Sequence, residues 1–443
     1  MAALGTSRVP PSTQWTSFAG WDYNGMKERL QRLLAKIDKS VLTRHAQSIK
    51  GQKVTMSQPF SAGQYWICFE MIAEDGSLVI ARVRLPRHPD TPPTISEEDE
   101  QYSIACEVAT MAFVRQNVPA ITLPQIYTYE GPGSQLAADA GAIYMLLEGF
   151  YGNTLQDIEP DLCNLSTAIQ EHIITQWTRV QVELATLAYP QIGSISSVST
   201  TGEPVIGRLA SASAEGLRCH GPFSSTAEYF TAVADAAISK LDLTDTDSNG
   251  VLSFTILGAF VFRDIVQNTT LFEDGSAEGR FPLNHMDLGT QNILVDDKFN
   301  FRAIIDWEFA QTAPWQVNHY PMPFPLLESD MEIQGILQDP NHPAHGNVSR
   351  QESARRLYTK KFRDAEVELR KIGRSLGSSF AEVLDSPASR IYACFTKLGR
   401  LPMADAGLVH EMVRLAFDLD AEGTERYLHV IGDRLKRADN KAR

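Results

Sequence analysis

The sequence predicts an α+β chain: a small antiparallel sheet first, then a larger, mainly helical part. Three observations predict it. Residues 53–84 hold three short runs rich in Val, Ile and Phe, separated by turn residues. From about residue 165 onward, apolar residues recur at helical spacing through most of the chain. Residues 283–309 (LNHMDLGTQNILVDDKFNFRAIIDWEF) break that pattern with one further hairpin. Strands grouped first and helices grouped after are the order expected of an α+β fold.

Length and charge narrow the function. At 443 residues the chain exceeds one ordinary domain, so two or more packed units are expected. Asp and Glu number 54 against 40 Lys and Arg, a net charge of −14. That balance argues against nucleic acid as a partner, since phosphate contacts need clustered cations. Cys68, Cys106, Cys163, Cys219 and Cys394 form no C-x-x-C pair, and free thiols in a reducing compartment are the simple expectation. The first residues lack an apolar signal core, and the most apolar stretch, 251–262, is too short to span a bilayer. A soluble cytoplasmic protein with no membrane partner is therefore expected. Oligomeric state is not legible.

In chain order, residues 1–20 are polar, carry Pro10-Pro11 and read as a loosely held tail. Leu30, Leu33, Leu34, Ile37 and Val41 space out one amphipathic helix. Strands are expected over 53–57, 65–72 and 78–84, with a loop over 58–64 and a turn at 74–77. The prolines of 86–93 and the acids Glu97 to Glu100 read as a mobile connection. A helix bearing Ile104, Val108 and Met111 follows, with Glu107 near its start. Strands are expected at 123–127 and 142–147. Beyond them come a buried helix over 165–187 with Trp177 in the core, a short hairpin around Thr201-Gly202, and a helix over 226–241. A polar insertion at 243–250 and an apolar helix at 251–266 lead into the late hairpin. After it lie an aromatic, proline-rich segment (315–325), a loop over 338–350 with solvated His342 and His345, and helices from 352 to 440. His319 reads as another solvated loop residue.

The late hairpin carries chemistry. Asn292 opens its first strand and Asp306 closes its second. In an antiparallel pair these positions lie at one end, with opposed Cβ atoms about 5 Å apart. Two oxygen donors there suit a hard divalent cation such as Mg²⁺. The loop before the hairpin brings Asp287, a candidate base, to the same end.

The spacing His285-x-Asp287-x4-Asn292, followed by Ile305-Asp306-Trp307-Glu308, resembles the aminoglycoside phosphotransferase and choline kinase-like family of small-molecule kinases. The resemblance covers about residues 50–320. It implies a two-lobed, protein-kinase-like fold, with a nucleotide-binding lobe to residue 148 and a helical, substrate-binding lobe over 149–443. It implies ATP and Mg²⁺, with Asp287 as base, His285 supporting its loop, and Asn292 and Asp306 on the metal. Arg82 takes the place of the usual strand lysine, with Glu107 as its helix partner and Arg84 as a second candidate cation. The 58–64 loop, with Ser61 and the single Gly63, would cover the phosphates. Glu148 and Phe150 would flank the hinge that binds adenine. The partner implied is a hydroxylated small molecule. Two other readings stay open: a kinase-like binding module without catalysis, and a different nucleotide-dependent reaction such as carboxylate activation.

Overall fold

Strands β1 (Val54–Ala62), β2 (Trp66–Ala73), β3 (Leu78–Arg84), β4 (Ile126–Glu130) and β5 (Tyr144–Gly149) form one antiparallel sheet in the order β1-β2-β3-β5-β4. The structure, a computed structural model, describes residues 10–13, 25–88, 91–92, 94–241, 253–273, 279–321, 324 and 326–442. The expected insertion at 243–250, the start of the helix expected at 251, most of the N-terminal tail, and parts of the 86–93 and 315–325 segments lie outside them.

The chain divides into two compact units. The first takes in residues 1–160, 197–203 and 287–308; the second takes in 161–196, 204–286 and 309–443. The segment Asp287–Glu308 therefore groups with the sheet.

In the first unit, alternation along the strands sorts side chains to two faces. Ile67, Phe69 and Met71 of β2 and Val79, Ala81 and Val83 of β3 pack with Leu30, Leu33, Leu42 and Ala46 of helices α1 (Met26–Lys36) and α2 (Lys39–Lys50). The single helix expected here is two, because Asp38 stops the first and caps the second, its carboxylate accepting from the Ser40 amide at 2.8 Å. On the opposite face, Trp66, Met145 and Leu147 pack with Ile104 of helix α3 (Glu97–Asn117). That face therefore carries Arg82 towards α3.

Three sequence expectations are corrected in this unit. Glu97 to Glu100 are not a mobile connection but the first turn of α3, where Ser96 and Asp99 form a capping box. Four carboxylates there meet the positive end of the helix dipole rather than only one another. Glu107 consequently sits in mid-helix. The loop expected over 58–64 is mostly strand: β1 runs to Ala62 through irregular register at Pro59 and Ser61, and the turn starts only at Gly63. In the tail, Ser12 is pinned, its amide and hydroxyl both donating to the buried Glu70 carboxylate at 2.9 Å.

Short helix α4 (Gln135–Ala140) joins β4 to β5, and helix α5 (Leu155–Ile158) follows β6 (Asn153–Thr154). The late hairpin forms as expected, with β7 (Ile293–Val295) against β8 (Phe301–Ile304). β6 joins it as a third strand, pairing Thr154 with Leu294 and Asn153 with Val295. Gly152 makes that junction possible. Its φ is +155°, and a Cβ there would lie 2.5 Å from the Val295 carbonyl oxygen.

The second unit is mainly helical. Helices α6 (Thr167–Ala185), α7 (Ala212–Glu215), α8 (Thr226–Ser239), α9 (Phe254–Asn268), α10 (Asp330–Gln338), α11 (His345–Lys371), α12 (Phe380–Asp385), α13 (Pro387–Lys397), α14 (Asp405–Phe417) and α15 (Ala421–Ala442) follow in order. The expected hairpin around Thr201-Gly202 is present as Ile195–Val198 against Pro204–Ile206, with residues 197–203 counted in the first unit. Trp177 of α6 is fully buried against Phe324 and Tyr358, as a core residue should be. The loop expected over 338–350 ends early because α11 begins at His345. All five cysteines are free. Among the described residues no helix is long and apolar enough to cross a membrane.

Candidate active site

The sheet register sets the site. Ser61 pairs with Cys68, Cys68 with Arg82, and Arg82 with Met145, so one row crosses four strands. Paired residues share a face, which directs Arg82 to the side covered by α3. There its Nη1 donates to Glu107 Oε1 at 2.6 Å, and the Glu107 side chain is 1% exposed. The Arg82 guanidinium also lies 5.0 Å from the centre of the Trp66 ring, which Arg84 approaches at 5.2 Å. Arg84 itself pairs with Glu100 at 3.2 Å.

The hairpin delivers the acids to the same place. Its last ladder pair is Ile293 with Ile304, and the Ile305 amide still donates to the Asn292 carbonyl at 3.0 Å. Asp306 then leaves the ladder with φ +64°, a left-handed conformation uncommon for a non-glycine residue. Trp307 anchors that turn: it is fully buried and its indole N–H donates to the Ile304 carbonyl at 3.0 Å. Asp306 ends with Oδ1 3.5 Å from Arg82 Nη2. One guanidinium thus bridges the helix acid and the hairpin acid.

Asp287 is held from the other side of the hairpin's open end. The Asn292 amide donates to the Asp287 carbonyl at 2.8 Å and to its Oδ2 at 2.9 Å, while Gln291 donates to Oδ1 at 3.2 Å. A 3₁₀ turn, Thr290–Asn292, sets this up, with the Asn292 amide N–H donating to the Gly289 carbonyl at 3.0 Å. With its nitrogen committed to Asp287, Asn292 has its Oδ1 to offer a cation.

The electrostatics follow from crowding. Burial pushes the Asp287 carboxyl above the usual range, and the charge of Asp306 adds to it. Glu308 is pushed up to about 8 by burial, then by Asp306 and Glu107. Burial also pushes Glu107 up, against the pull of Arg82. For Arg82, burial opposes the charge but the carboxylates of Glu107 and Asp306 outweigh it, so its pKa is raised. Burial lifts the Cys68 thiol beside them to about 11. Glu107, Asp306 and Glu308 therefore share two guanidinium groups with the charge of Asp287 close by, and added positive charge would relieve them. Among the described residues no group of three or more His, Cys, Asp or Glu converges as a ready metal cage. The oxygens of Asn292 and Asp306 fit Mg²⁺ in its other usual mode, in which one or two protein oxygens are completed by phosphates and water.

The remaining expected residues are placed as follows. His285 is buried at the end of the strand Phe281–Asn284 and belongs to the second unit. Ser61 sits within β1 rather than in a loop, and Gly63 forms the turn, its amide donating to the Trp66 carbonyl at 2.8 Å. The Glu148 carboxylate is taken up by Arg115 at 3.1 Å and the Gln125 amide at 3.2 Å, and its own amide donates to the Gln125 carbonyl. Phe150 lies half-buried just past β5. Glu308 joins the cluster without a role implied by the motif, and its position two residues after Asp306 is the sequence signal for it.

No family model matches the chain. Clavilactone A biosynthesis cluster protein Y of Ampulloclitocybe clavipes is 24% identical over 253 residues, which cover 56% of this chain and 59% of that protein. The match thus spans less than two thirds of that relative's length. Among solved structures, a macrolide 2'-phosphotransferase type I is similar over 90% of this chain and 96% of its own, with 13% identity and a TM-score of 0.39. An amicoumacin kinase in complex with AMP-PNP and Ca²⁺ is similar over 92% and 96%, with 13% identity and a TM-score of 0.41. With TM-scores below 0.5, these likenesses lend no weight to the chemistry, which rests on the side chains above.

Proposed function

We propose that the protein is an ATP- and Mg²⁺-dependent phosphotransferase that moves the γ-phosphoryl group to a hydroxyl of a small molecule. The observation that carries this is that Asn292 holds Asp287 at one end of the hairpin while Arg82 joins Asp306, at the same end, to the buried Glu107. In this reading Asp287 orients the acceptor hydroxyl and takes its proton, with Asn292 and Gln291 fixing the direction of its carboxylate. Its raised pKa makes it a better base than a solvated Asp. Arg82, held by Glu107, positions the α- and β-phosphates, and Glu148 and Phe150 border the adenine. Asn292 and Asp306 hold Mg²⁺, which supplies charge neutralisation on the phosphates when bound. His285 supports the loop that carries Asp287. The acidic chain favours a small hydroxylated acceptor over nucleic acid, and a cytoplasmic setting suits an ATP-dependent reaction. The similarity to a clavilactone cluster protein fits an acceptor from specialised metabolism.

The test is Asp287→Asn in an ADP-release assay against hydroxylated amines and sugars, with mass spectrometry of the product. Transfer should fall by roughly 10²–10⁴-fold, with nucleotide binding kept. Unchanged turnover rejects the role of Asp287. One observation favours a second reading, a binding module with little catalysis: both arms of Arg82 already hold carboxylates. Mg²⁺-dependent ATP binding with no turnover on any acceptor would select it. A product lacking the added phosphoryl mass would select carboxylate activation.

A further inference from the structure

The second unit holds a cavity of about 220 Å³ between α10, α11, α13 and α14 that the phosphotransfer chemistry above does not use. We propose that it is a binding site for a small organic anion bearing a carboxylate or phosphate, gripped by Arg355, Lys397 and Ser389. The size suits a molecule smaller than a drug-like ligand, whose pockets run from about 300 Å³ upward.

Arg355 is 9% exposed and its guanidinium is only partly used. Its Nε donates to the Phe324 carbonyl at 2.7 Å and its plane lies 4.6 Å from the Tyr320 ring centre. No described carboxylate pairs with it. The terminal Nη groups are thus fixed in direction by the Nε bond and the ring, and present a fork that matches a carboxylate or phosphate. Lys397, on α13, also has no described ion-pair partner, and burial together with the charge of Arg355 depresses its pKa. Two largely buried cations that repel each other, neither with an ion-pair partner among the described residues, are an arrangement that an anion relieves.

Ser389 points to a ligand independently. It is fully buried, lines the cavity, and its hydroxyl has no described hydrogen-bond partner. An unsatisfied buried hydroxyl is costly, and a bound acceptor atom removes the cost. His319 also lines the cavity, which corrects its reading as a solvated loop residue. Burial lowers its pKa, the Tyr320 carbonyl opposes this, and Lys397, Arg400 and Arg355 lower it further, so it adds no positive charge to the cavity.

Among the described residues the cavity's acids form no ion pair with Arg355 or Lys397. Asp330 and Glu411 are both spent on Arg390, which lies 3.1 Å from Glu411. Glu352 is paired with Arg356 at 3.1 Å, and Asp385 stands exposed at the rim. Asp330 and Glu411 also act on Lys397, and Glu352 and Asp330 on Arg355, from beyond ion-pair distance, so the Arg355 fork and the Ser389 hydroxyl rather than net charge would select the anion.

The test is calorimetry on the full chain with two probes, inorganic phosphate and benzoate, which separate a phosphate-bearing from a carboxylate-bearing ligand. Saturable binding of at least one is expected. Lys397→Met should weaken it about tenfold and Ser389→Ala about threefold. Arg82→Met, in the first unit, should leave it unchanged, so that failure here is distinct from failure of the phosphotransfer reading. Arg400→Met at the rim gives the same readout if Lys397→Met does not fold. No saturable binding of either probe overturns the proposal. So does binding that survives both cation substitutions or is lost only with Arg82.

Discussion

Glu107→Gln removes one charge from the centre of the site while keeping its shape. At 2.6 Å and an effective dielectric of about 20, the Arg82–Glu107 attraction is about 6 kcal/mol. Much of that is cancelled, because a carboxylate that is 1% exposed has lost most of its hydration, at several kcal/mol. Breaking a buried pair outright costs about 3–5 kcal/mol, and a hydrogen bond to a charged group contributes about 1.5–3 kcal/mol. Glutamine keeps an oxygen for Arg82 Nη1, and Asp306 remains 3.5 Å from Nη2. The lower range therefore applies, about 2 kcal/mol. The freed guanidinium should then close on Asp306 and compete with a metal ion for it. A double-mutant cycle with Arg82→Met in urea unfolding should give a coupling energy of about 1.5–3 kcal/mol. Mg²⁺-ATP affinity of Glu107→Gln should drop about tenfold, the equivalent of about 1.4 kcal/mol. Strictly additive substitutions, with unchanged nucleotide affinity, would refute the idea that Glu107 holds Arg82 in place.

Gly152→Ala places a methyl group 2.5 Å from the Val295 carbonyl at φ +155°, so the first unit should lose about 1–3 kcal/mol, read from the urea midpoint. Glu308 gives a pH signature. Its folded pKa of about 8 exceeds its unfolded value of about 4.5, so the native state binds more protons between these pH values. The Glu308 contribution to stability should be full below about pH 4.5 and decline as pH rises towards 8, at up to about 1.4 kcal/mol per pH unit. Glu308→Gln should flatten that slope over pH 5–8, and Mg²⁺ should stabilise the wild type more at pH 8 than at pH 6.

Much of this site was legible because its signals are local. The hairpin around Asp296–Asn300 has alternating apolar runs and a polar turn, and its register follows from them. Alternation also sent Arg82 and Arg84 to one face without any tertiary knowledge. What sequence pattern missed depends on competition between local and distant forces. Glu97 to Glu100 look like repelling charges until Ser96 starts a helix under them, and the helix field then favours them. The stretch 58–64 looks like a loop because of Pro59 and Gly63. Pairing with β2 nevertheless extends β1 to Ala62, with the irregularity absorbed at Pro59 and Ser61. The bridging of Glu107 and Asp306 by one arginine joins residues about two hundred positions apart, and no periodicity carries that information. The cavity lined by His319, Arg355 and Lys397 is assembled from several helices, so each of its residues reads alone as an ordinary surface charge.

The most direct measurement is ATP binding by calorimetry with and without Mg²⁺, on the wild type and on Asp306→Asn. The wild type should bind ATP more tightly with Mg²⁺, and Asp306→Asn should lose that difference while remaining folded. An equal Mg²⁺ effect in both proteins, or none in the wild type, would contradict a metal held at the open end of the hairpin.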